Sequence, residues 1–391
     1  MCQFKTSVRV FFRKLTGDCR VIAISESTIA AGPSPFRHLG RRTSLLRNSG
    51  PVPRLKHMAN SARLRPALRP GMAYTWLWFL LMVPLVGLSV LRAIPAVWPL
   101  RAIQLLAFTP WLAAPAAAAL LLAVLGRNRW HAAVSSMLLA CLAFWLFPLH
   151  AGKRVSGDGP TVELRVMTFN SKLGQADAGT VVRLVQENRI DVLAVQEHSQ
   201  AFQDRLAAEG LAALLPESVT DPANNAGGSA VYSRFPLEEA GRVPGTAFQM
   251  PILRVDVTSQ GRAGVLEMTN VHTRAPVEHM AGQWRGDLAA VKRVAAGGGS
   301  RLLVGDFNAT YDHAEFRNLL GGGEGPGLVD VGVAAGARLL PTWPMDGQLL
   351  PGITIDHVVT SPDIGSSGYA VHRVPGSDHA AVTAVLDVPA G

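Results

Sequence analysis

Apolar residues run almost without interruption in three stretches of the N-terminal half. These are MAYTWLWFLLMVPLVGLSVL from Met72 to Leu91, a run from Ala102 to Leu125 that includes WLAAPAAAALLLAVL, and WHAAVSSMLLACLAFWLFPL from Trp130 to Leu149. Each is close to the ~20 residues that cross a hydrocarbon core of about 30 Å. Trp residues near several ends suit the membrane interface, and the near absence of charge argues against helices buried in a soluble core. Three transmembrane helices are expected. From residue 161 the pattern changes to short strands alternating with amphipathic helices. ELRVMTF, DVLAVQ, AVYSRFPL, ILRVDV, VLEMTNVH, RLLVGDF, ITIDHVV and AVTAVLDV predict strands. TVVRLVQENR, residues 201–214 and residues 278–296 predict helices, with a further short one capped by Asp312. Strands this numerous, many with no helix between them, predict two packed sheets with helices outside. AGKRVSGDGP, residues 151–160, reads as a linker.

Charge is distributed unevenly. Residues 1–70 carry 14 Lys and Arg against two acids, Asp18 and Glu26; residues 71–150 add four Arg and no acid. The overall charge of +9 therefore conceals a net of −7 in residues 151–391. The basic character belongs to the tail and the loops between apolar runs. The C-terminal domain lacks the positive face of a sequence-independent nucleic-acid binder, so nucleic acid as a partner is not supported by charge. The same asymmetry predicts topology. The basic tail, with Arg127 and Arg129 between the second and third runs, keeps the N-terminus cytoplasmic. An odd number of spans then puts the C-terminal domain on the outer face of the cytoplasmic membrane. Lys153 and Arg154 oppose this only mildly. The first 57 residues, rich in Arg, Ser, Gly and Pro, are expected to be disordered, and Met58 or Met72 are alternative starts. A cleavable signal peptide is not expected after so long a tail. All three cysteines, Cys2, Cys19 and Cys141, precede residue 151, which excludes a disulfide framework or thiolate metal site beyond it.

The strand ends carry a recurrent kind of residue. TFN ends at Asn170, AVQEHS presents Glu197, TNVHTRAP presents His272, and LLVGDFNAT gives Asp306 and Asn308. TIDHVV contains Asp356, and PGSDHAAV gives Asp378 and His379. Alone, Asp and Asn after a strand are ordinary turn formers. Together these residues are what metal-assisted attack of water on a phosphate ester requires. Oxygen ligands such as Glu and Asn suit Mg²⁺. A carboxylate beside an amide can orient and deprotonate water, and a His paired with an Asp can move a proton or stabilise phosphoryl charge.

In this order, TFN, QE, HT-x-x-P, GDFN, IDH and SDH resemble the endonuclease/exonuclease/phosphatase family, which includes pancreatic-type DNases, AP endonucleases, neutral sphingomyelinases and inositol polyphosphate 5-phosphatases. The resemblance covers residues 162–388. The anchor is similar to that of membrane-attached bacterial members. The resemblance implies a four-layer α/β sandwich of the α+β class, two mostly antiparallel sheets flanked by helices. It also implies a Mg²⁺-dependent hydrolase, with Mn²⁺ as a substitute. Asn170 and Glu197 would hold the metal, with Asp378 near it or supporting a histidine. Asp306 would activate water, and Asn308 would bond a phosphate oxygen. His379, oriented by Asp356, would contact the phosphate or shuttle a proton, and His272 would serve the leaving group. The chain departs from AP endonucleases at Lys172, where they carry an acid; this cation reads equally as a phosphate holder or a solvated side chain. Gly227 and Gly228 read as turn formers, and His313, His357 and His372 as structural. The leading expectation is a membrane-tethered, nuclease-like phosphodiesterase. A phospholipid- or sphingomyelin-type phosphodiesterase, an inositol-phosphate phosphatase and an inactive interaction domain are the alternatives. Tethering favours the lipid substrate, whereas no exposed apolar hairpin is evident in the domain.

Overall fold

In a computed structural model, residues 70–148, 159–259, 261–321 and 327–391 are described. The basic tail, Leu149 and nearly all of the expected linker lie outside the described residues. The chain opens with helices α1 (Pro70–Ala93), α2 (Leu100–Leu106), a 3-10 turn (Thr109–Leu112), α3 (Ala113–Leu125) and α4 (Arg129–Leu146). There follow β1 (Thr161–Asn170), α5 (Ala178–Glu187), β2 (Val192–Gln196), α6 (Gln200–Ala208), α7 (Leu211–Leu214), β3 (Glu217–Asp221), β4 (Ser229–Ser233), β5 (Leu237–Arg242), β6 (Pro251–Ser259) and β7 (Arg262–His272). The remainder is α8 (Ala281–Ala295), β8 (Arg301–Asp306), α9 (Ala314–Leu319), β9 (Val329–Asp330), α10 (Val331–Ala334), β10 (Asp356–Thr360), β11 (Gly365–Arg373) and β12 (Ala380–Pro389).

The strands form two six-stranded sheets, ordered β11-β12-β1-β2-β4-β3 and β5-β6-β7-β8-β10-β9. Strand alternation decides what each face receives. Val162, Leu164 and Val166 of β1 meet Leu266 and Met268 of β7 and Leu302 and Val304 of β8 in the seam between the sheets. The intervening residues face outward. Met167 and Phe169 pack beneath α5 and α6 on Val181, Val185, Phe202 and Leu206. Val271, Leu303 and Val359 pack beneath α8 and α9 on Trp284, Leu288, Val291 and Phe316. The result is the expected four-layer sandwich. Two parallel pairs sit at its centre. β1 and β2 align Asn170 with Gln196, and β7 and β8 align His272 with Asp306. Towards these C-terminal ends the seam changes from aliphatic to polar.

The N-terminal helices form a bundle with an inverted surface. Trp78, Met82 and Leu85 pack on Ala116, Ala119, Ala123, Leu138 and Leu142, the alanine stripe admitting close helix contact. Leu80, Val83, Met137 and Phe144 point outward and are more than half exposed, as expected of a surface facing lipid. Two helices, Gly71–Ala93 and Arg129–Leu146, are long and apolar enough to cross a membrane. The second predicted span is different. It is a pair, Leu100–Leu106 and Thr109–Leu125, bent by 68°, with Pro110 at the start of the 3-10 turn where no N–H is available to continue α2. Ile103 of α2 is buried in the core beneath α8 and α9, so this part of the run belongs to the sandwich.

Other predicted elements divide. The run 230–237 becomes β4 and β5, separated at Pro236, and residues 201–214 become α6 and α7, separated by Gly210 at φ +86°. Asp312 does not cap α9, whose N-cap is His313. Its carboxylate instead takes Arg92 Nε at 2.7 Å and Arg338 Nη2 at 2.6 Å, all three side chains being buried. Two charge-assisted bonds outweigh one backbone N–H. Arg92 also stacks on Trp145 at 4.4 Å, and His313 joins the same junction, Nε2 to Ile103 O at 2.9 Å.

Candidate active site

The strand-end residues meet at the polar end of the seam. Asn170 is central. Its Nδ2 donates to Glu197 Oε1 at 3.1 Å and Asp306 Oδ2 at 3.2 Å, joining the two sheets, and its Oδ1 accepts from Lys172 N at 2.9 Å. Glu197 Oε2 accepts from Leu173 N at 2.8 Å. His272 Nε2 lies 3.9 Å from Glu197 and 3.8 Å from Asp306. His379 Nε2 is also 3.8 Å from Asp306, while its Nδ1 is 3.0 Å from Asp356 Oδ2. Asn308 turns its N–H to Asp306 Oδ1 at 2.8 Å and its Nδ2 to Thr273 O at 2.9 Å.

The backbone is shaped to deliver these groups. Glu197 and Asn308 have φ of +55° and +47°. The left-handed region is tolerable for Asn and costly for Glu, and strain of this kind collects at functional sites. Gly305 lies at φ +141°, and a Cβ there would stand 1.9 Å from Val271 O, so only glycine lets β8 approach β7 just before Asp306. Gly228 has a comparable role: a Cβ would meet His198 O at 1.9 Å.

Burial and neighbouring charge separate the two histidines. Burial, reinforced by the charge on His379, holds His272 down at about 3, so its imidazole is neutral. It stacks on Phe248 with centroids 4.4 Å apart. Burial also disfavours charge on His379, but Asp356, Asp306 and Asp378 outweigh it and raise the imidazole to about 10. Burial lifts Asp306 to about 7 despite the opposing pull of His379. It raises Glu197 as well, against the bond from Asn170.

Asp378 bears on this cluster through its charge, which acts on both Glu197 and His379. Its carboxylate is 4.0 Å from Lys172 Nζ, which makes its shorter contact, 3.0 Å, with Asp346. The donor set fits a divalent cation. Asp306 and Asp356 bring carboxylate oxygens together beside His379, their nearest polar atoms all within 4.8 Å of one another, and the imidazole, held cationic, leaves the ligation to the carboxylates. Glu197 and the amide of Asn170 adjoin them with hard oxygens, and desolvated carboxylates outnumber the protonated imidazole that faces them.

Supporting residues carried no motif. Asn270, two residues before His272 on the same face of β7, accepts from Gln196 Nε2 at 2.6 Å and donates to Ser229 Oγ at 2.8 Å and Val195 O at 3.1 Å. Polar residues at i and i+2 on an otherwise aliphatic strand face were its only signal. Ser377 Oγ donates to Asn170 O at 2.7 Å and accepts from His379 N at 3.0 Å. Thr342 Oγ1 accepts from the backbone N–H groups of Ile355 and Asp356, at 3.0 and 3.1 Å. The other histidines are engaged in the framework: His357 with Asp330 and Ala309 O, His372 with Thr383.

A sequence profile of the Endonuclease/Exonuclease/phosphatase family matches residues 167–379. Several solved structures are similar over part of the chain. TDP2 of D. rerio, complexed with a single-strand DNA product, is 16% identical over 57% of this chain and 98% of its own, with a TM-score of 0.44. An endonuclease/exonuclease/phosphatase family protein from Bacteroides thetaiotaomicron is 15% identical over 59% of this chain and 97% of its own, at 0.43. The human Nocturnin catalytic domain with bound sulfate is 18% identical over 60% and 97%, at 0.42. Curated proteins gave no match.

Proposed function

The chain belongs to the endonuclease/exonuclease/phosphatase family, and on that premise we propose that it is a membrane-anchored, divalent-metal-dependent hydrolase of phosphate esters with nuclease-like phosphodiesterase chemistry. The reading rests on one observation: Asn170, Glu197, His272, Asp306 and His379 converge from both sheets within 3–4 Å contacts. Asn170 and Glu197 would hold the cation, Mg²⁺ or Mn²⁺, with Asp378 adding its charge. When bound, the cation draws charge from a phosphoryl oxygen.

The chain's own groups do the rest. Asp306, poised near neutrality by burial, accepts a proton from the water whose oxygen attacks phosphorus. Asn308 bonds a phosphate oxygen. His379, kept cationic by Asp356, stabilises charge on the phosphoryl group. As the P–O bond to the leaving group breaks, the departing oxygen takes a hydrogen bond from neutral His272. Lys172 stands at the rim as a second cation for phosphate. Residues 71–150 form the anchor, with the N-terminus cytoplasmic and residues 161–391 on the outer face.

The test uses full-length protein in detergent micelles. Hydrolysis of bis(4-nitrophenyl) phosphate is expected to vanish with EDTA and return with Mg²⁺ or Mn²⁺. If DNA, RNA, phospholipid and inositol phosphates also show no EDTA-sensitive hydrolysis, the inactive interaction domain becomes the correct reading. For topology, a C-terminal alkaline phosphatase fusion should be active and a green fluorescent fusion dark; the reverse would overturn the orientation.

A further inference from the structure

The segment between α10 and β10 joins the anchor to the mouth of the site. At its start the Arg338 guanidinium reaches both Asp312 and the carbonyl of Trp145 in α4. At its end Gly352 O accepts from Trp111 Nε1 of the 3-10 turn at 2.9 Å. Trp343 and Ile353 pair as a bridge that closes the base of a projecting loop. One flank of that loop borders the site: Met345 N donates to Asp378 O at 2.8 Å, and Asp346 holds Lys172 Nζ at 3.0 Å.

Leucines stand exposed on this segment, one of them beside Asp346, Gly347 and Gln348. Leu349 is fully exposed, and Leu339 and Leu340 are 43% and 46% exposed. Leu339 lines one cleft with Ala107, Pro110 and Trp111 at the end of the bundle nearest the sandwich, where Ile94, Val97 and Phe147 are also exposed. Trp at such a position marks a membrane interface. No apolar hairpin was evident in the sequence because these residues are scattered among Gly, Pro and Asp.

We propose that Leu339, Leu340 and Leu349 form a lip that inserts into the bilayer holding the bundle. The lip keeps the Lys172–Asp346 rim against the headgroup layer, so that a lipid headgroup phosphoester is the substrate class presented to the site. The substrate part rests on the hydrolase reading above; the insertion part does not.

The experiment uses the full chain with Cys2, Cys19 and Cys141 changed to Ser, reconstituted in phospholipid nanodiscs. An environment-sensitive fluorophore is attached to Leu349→Cys or, as control, to Val265→Cys. Val265 is also apolar and is 46% exposed, but lies towards the end of β7 opposite the site. A lipid-borne quencher should quench the probe at 349 and spare that at 265. In the same nanodiscs, combined Leu339→Glu, Leu340→Glu and Leu349→Glu should slow hydrolysis of bilayer phospholipid by about tenfold or more through lost surface engagement. Hydrolysis of bis(4-nitrophenyl) phosphate should be unchanged. Leu349→Ser alone should give the same split in smaller degree, should the triple variant fail to fold. A probe at 349 as wet as that at 265, or equal slowing of both substrates, would overturn the proposal. A quenched probe with no EDTA-sensitive hydrolysis of either substrate would confirm insertion and refute the hydrolase reading instead.

Discussion

In each sheet a central parallel pair has an antiparallel neighbour beside it: β1 and β2 with β12 in one, β8 and β7 with β10 in the other. The corresponding strand ends carry different chemistry. The first sheet supplies the amide of Asn170, Glu197 and the Asp378–His379 turn; the second supplies Asp306, His272 and Asp356. Their environments differ as well. Asp306, His272 and Asp356 are buried, whereas Glu197 and Asp378 keep part of their carboxylates in contact with solvent. A similar arrangement of strands thus yields one closed half and one half whose carboxylates are open while its Asn170 and His379 stay buried. The closed half sets the protonation state of its groups through burial and pairing. The open half offers hard oxygens where a hydrated cation and a phosphate can arrive.

This division can be broken from either side. The largest loss is expected from Asp306→Asn, which keeps shape and most hydrogen bonding but removes the base. The kcat should fall by at least ~10²-fold with little change in melting temperature, and excess Mg²⁺ should not restore it. His379→Ala should be comparably severe at every Mg²⁺ concentration. Near-wild-type turnover by Asp306→Asn would reduce GDFN to a strand that ends in a turn. Glu197→Gln should shift the Mg²⁺ activation curve to higher concentration by roughly 10- to 100-fold, with kcat recovered at saturation. A loss that saturating Mg²⁺ leaves untouched would move Glu197 into the closed half. Asp356→Asn should cost roughly tenfold, because it disturbs only the orientation and charge of His379. Asn270→Ala should act least on chemistry and most on stability. It removes the amide donor to Ser229 Oγ and the carbonyl of Val195 and one of the two bonds of Gln196 Nε2, which keeps Thr168 Oγ1, at about 1–3 kcal/mol for each buried group left unsatisfied. Thermal melts of the variant would show it, and an unchanged melting temperature would mean that water replaces the amide.

Much of the closed half was legible in the sequence because strand alternation is local. Aliphatic residues at every second position of β1, β7 and β8 predict which face is inner, and the residue closing each run then has to point into the seam. Strands without that alternation were illegible: β11, GSSGYAVHR, and β3, ESVTD, gain their pairing from neighbours rather than from their own composition. The break in the second apolar run was visible as Pro110, yet hydrophobicity alone cannot distinguish a lipid-facing Ile103 from one buried in the sandwich. Asp312 shows the same limit for charge. Its position before a helix suggested a cap, whereas its partners, Arg92 and Arg338, are supplied from both directions along the chain. Thr342 and Asn270 likewise act across large separations, and no spacing rule reaches them.

The junction at Asp312 also bears on portability. The carboxylate is shared between a guanidinium of the first apolar helix and one of the sandwich, and α2 contributes Ile103 to the sandwich's own core. A fragment cut at the start of β1 would keep Arg338 and lose Arg92, and would leave the socket of Ile103 open to water. Recombination that exchanged the N-terminal helices for others would therefore have to supply a matching arginine and a matching isoleucine at once. The two parts of this chain are fitted to be inherited together, as one folding unit whose boundary does not fall at the linker.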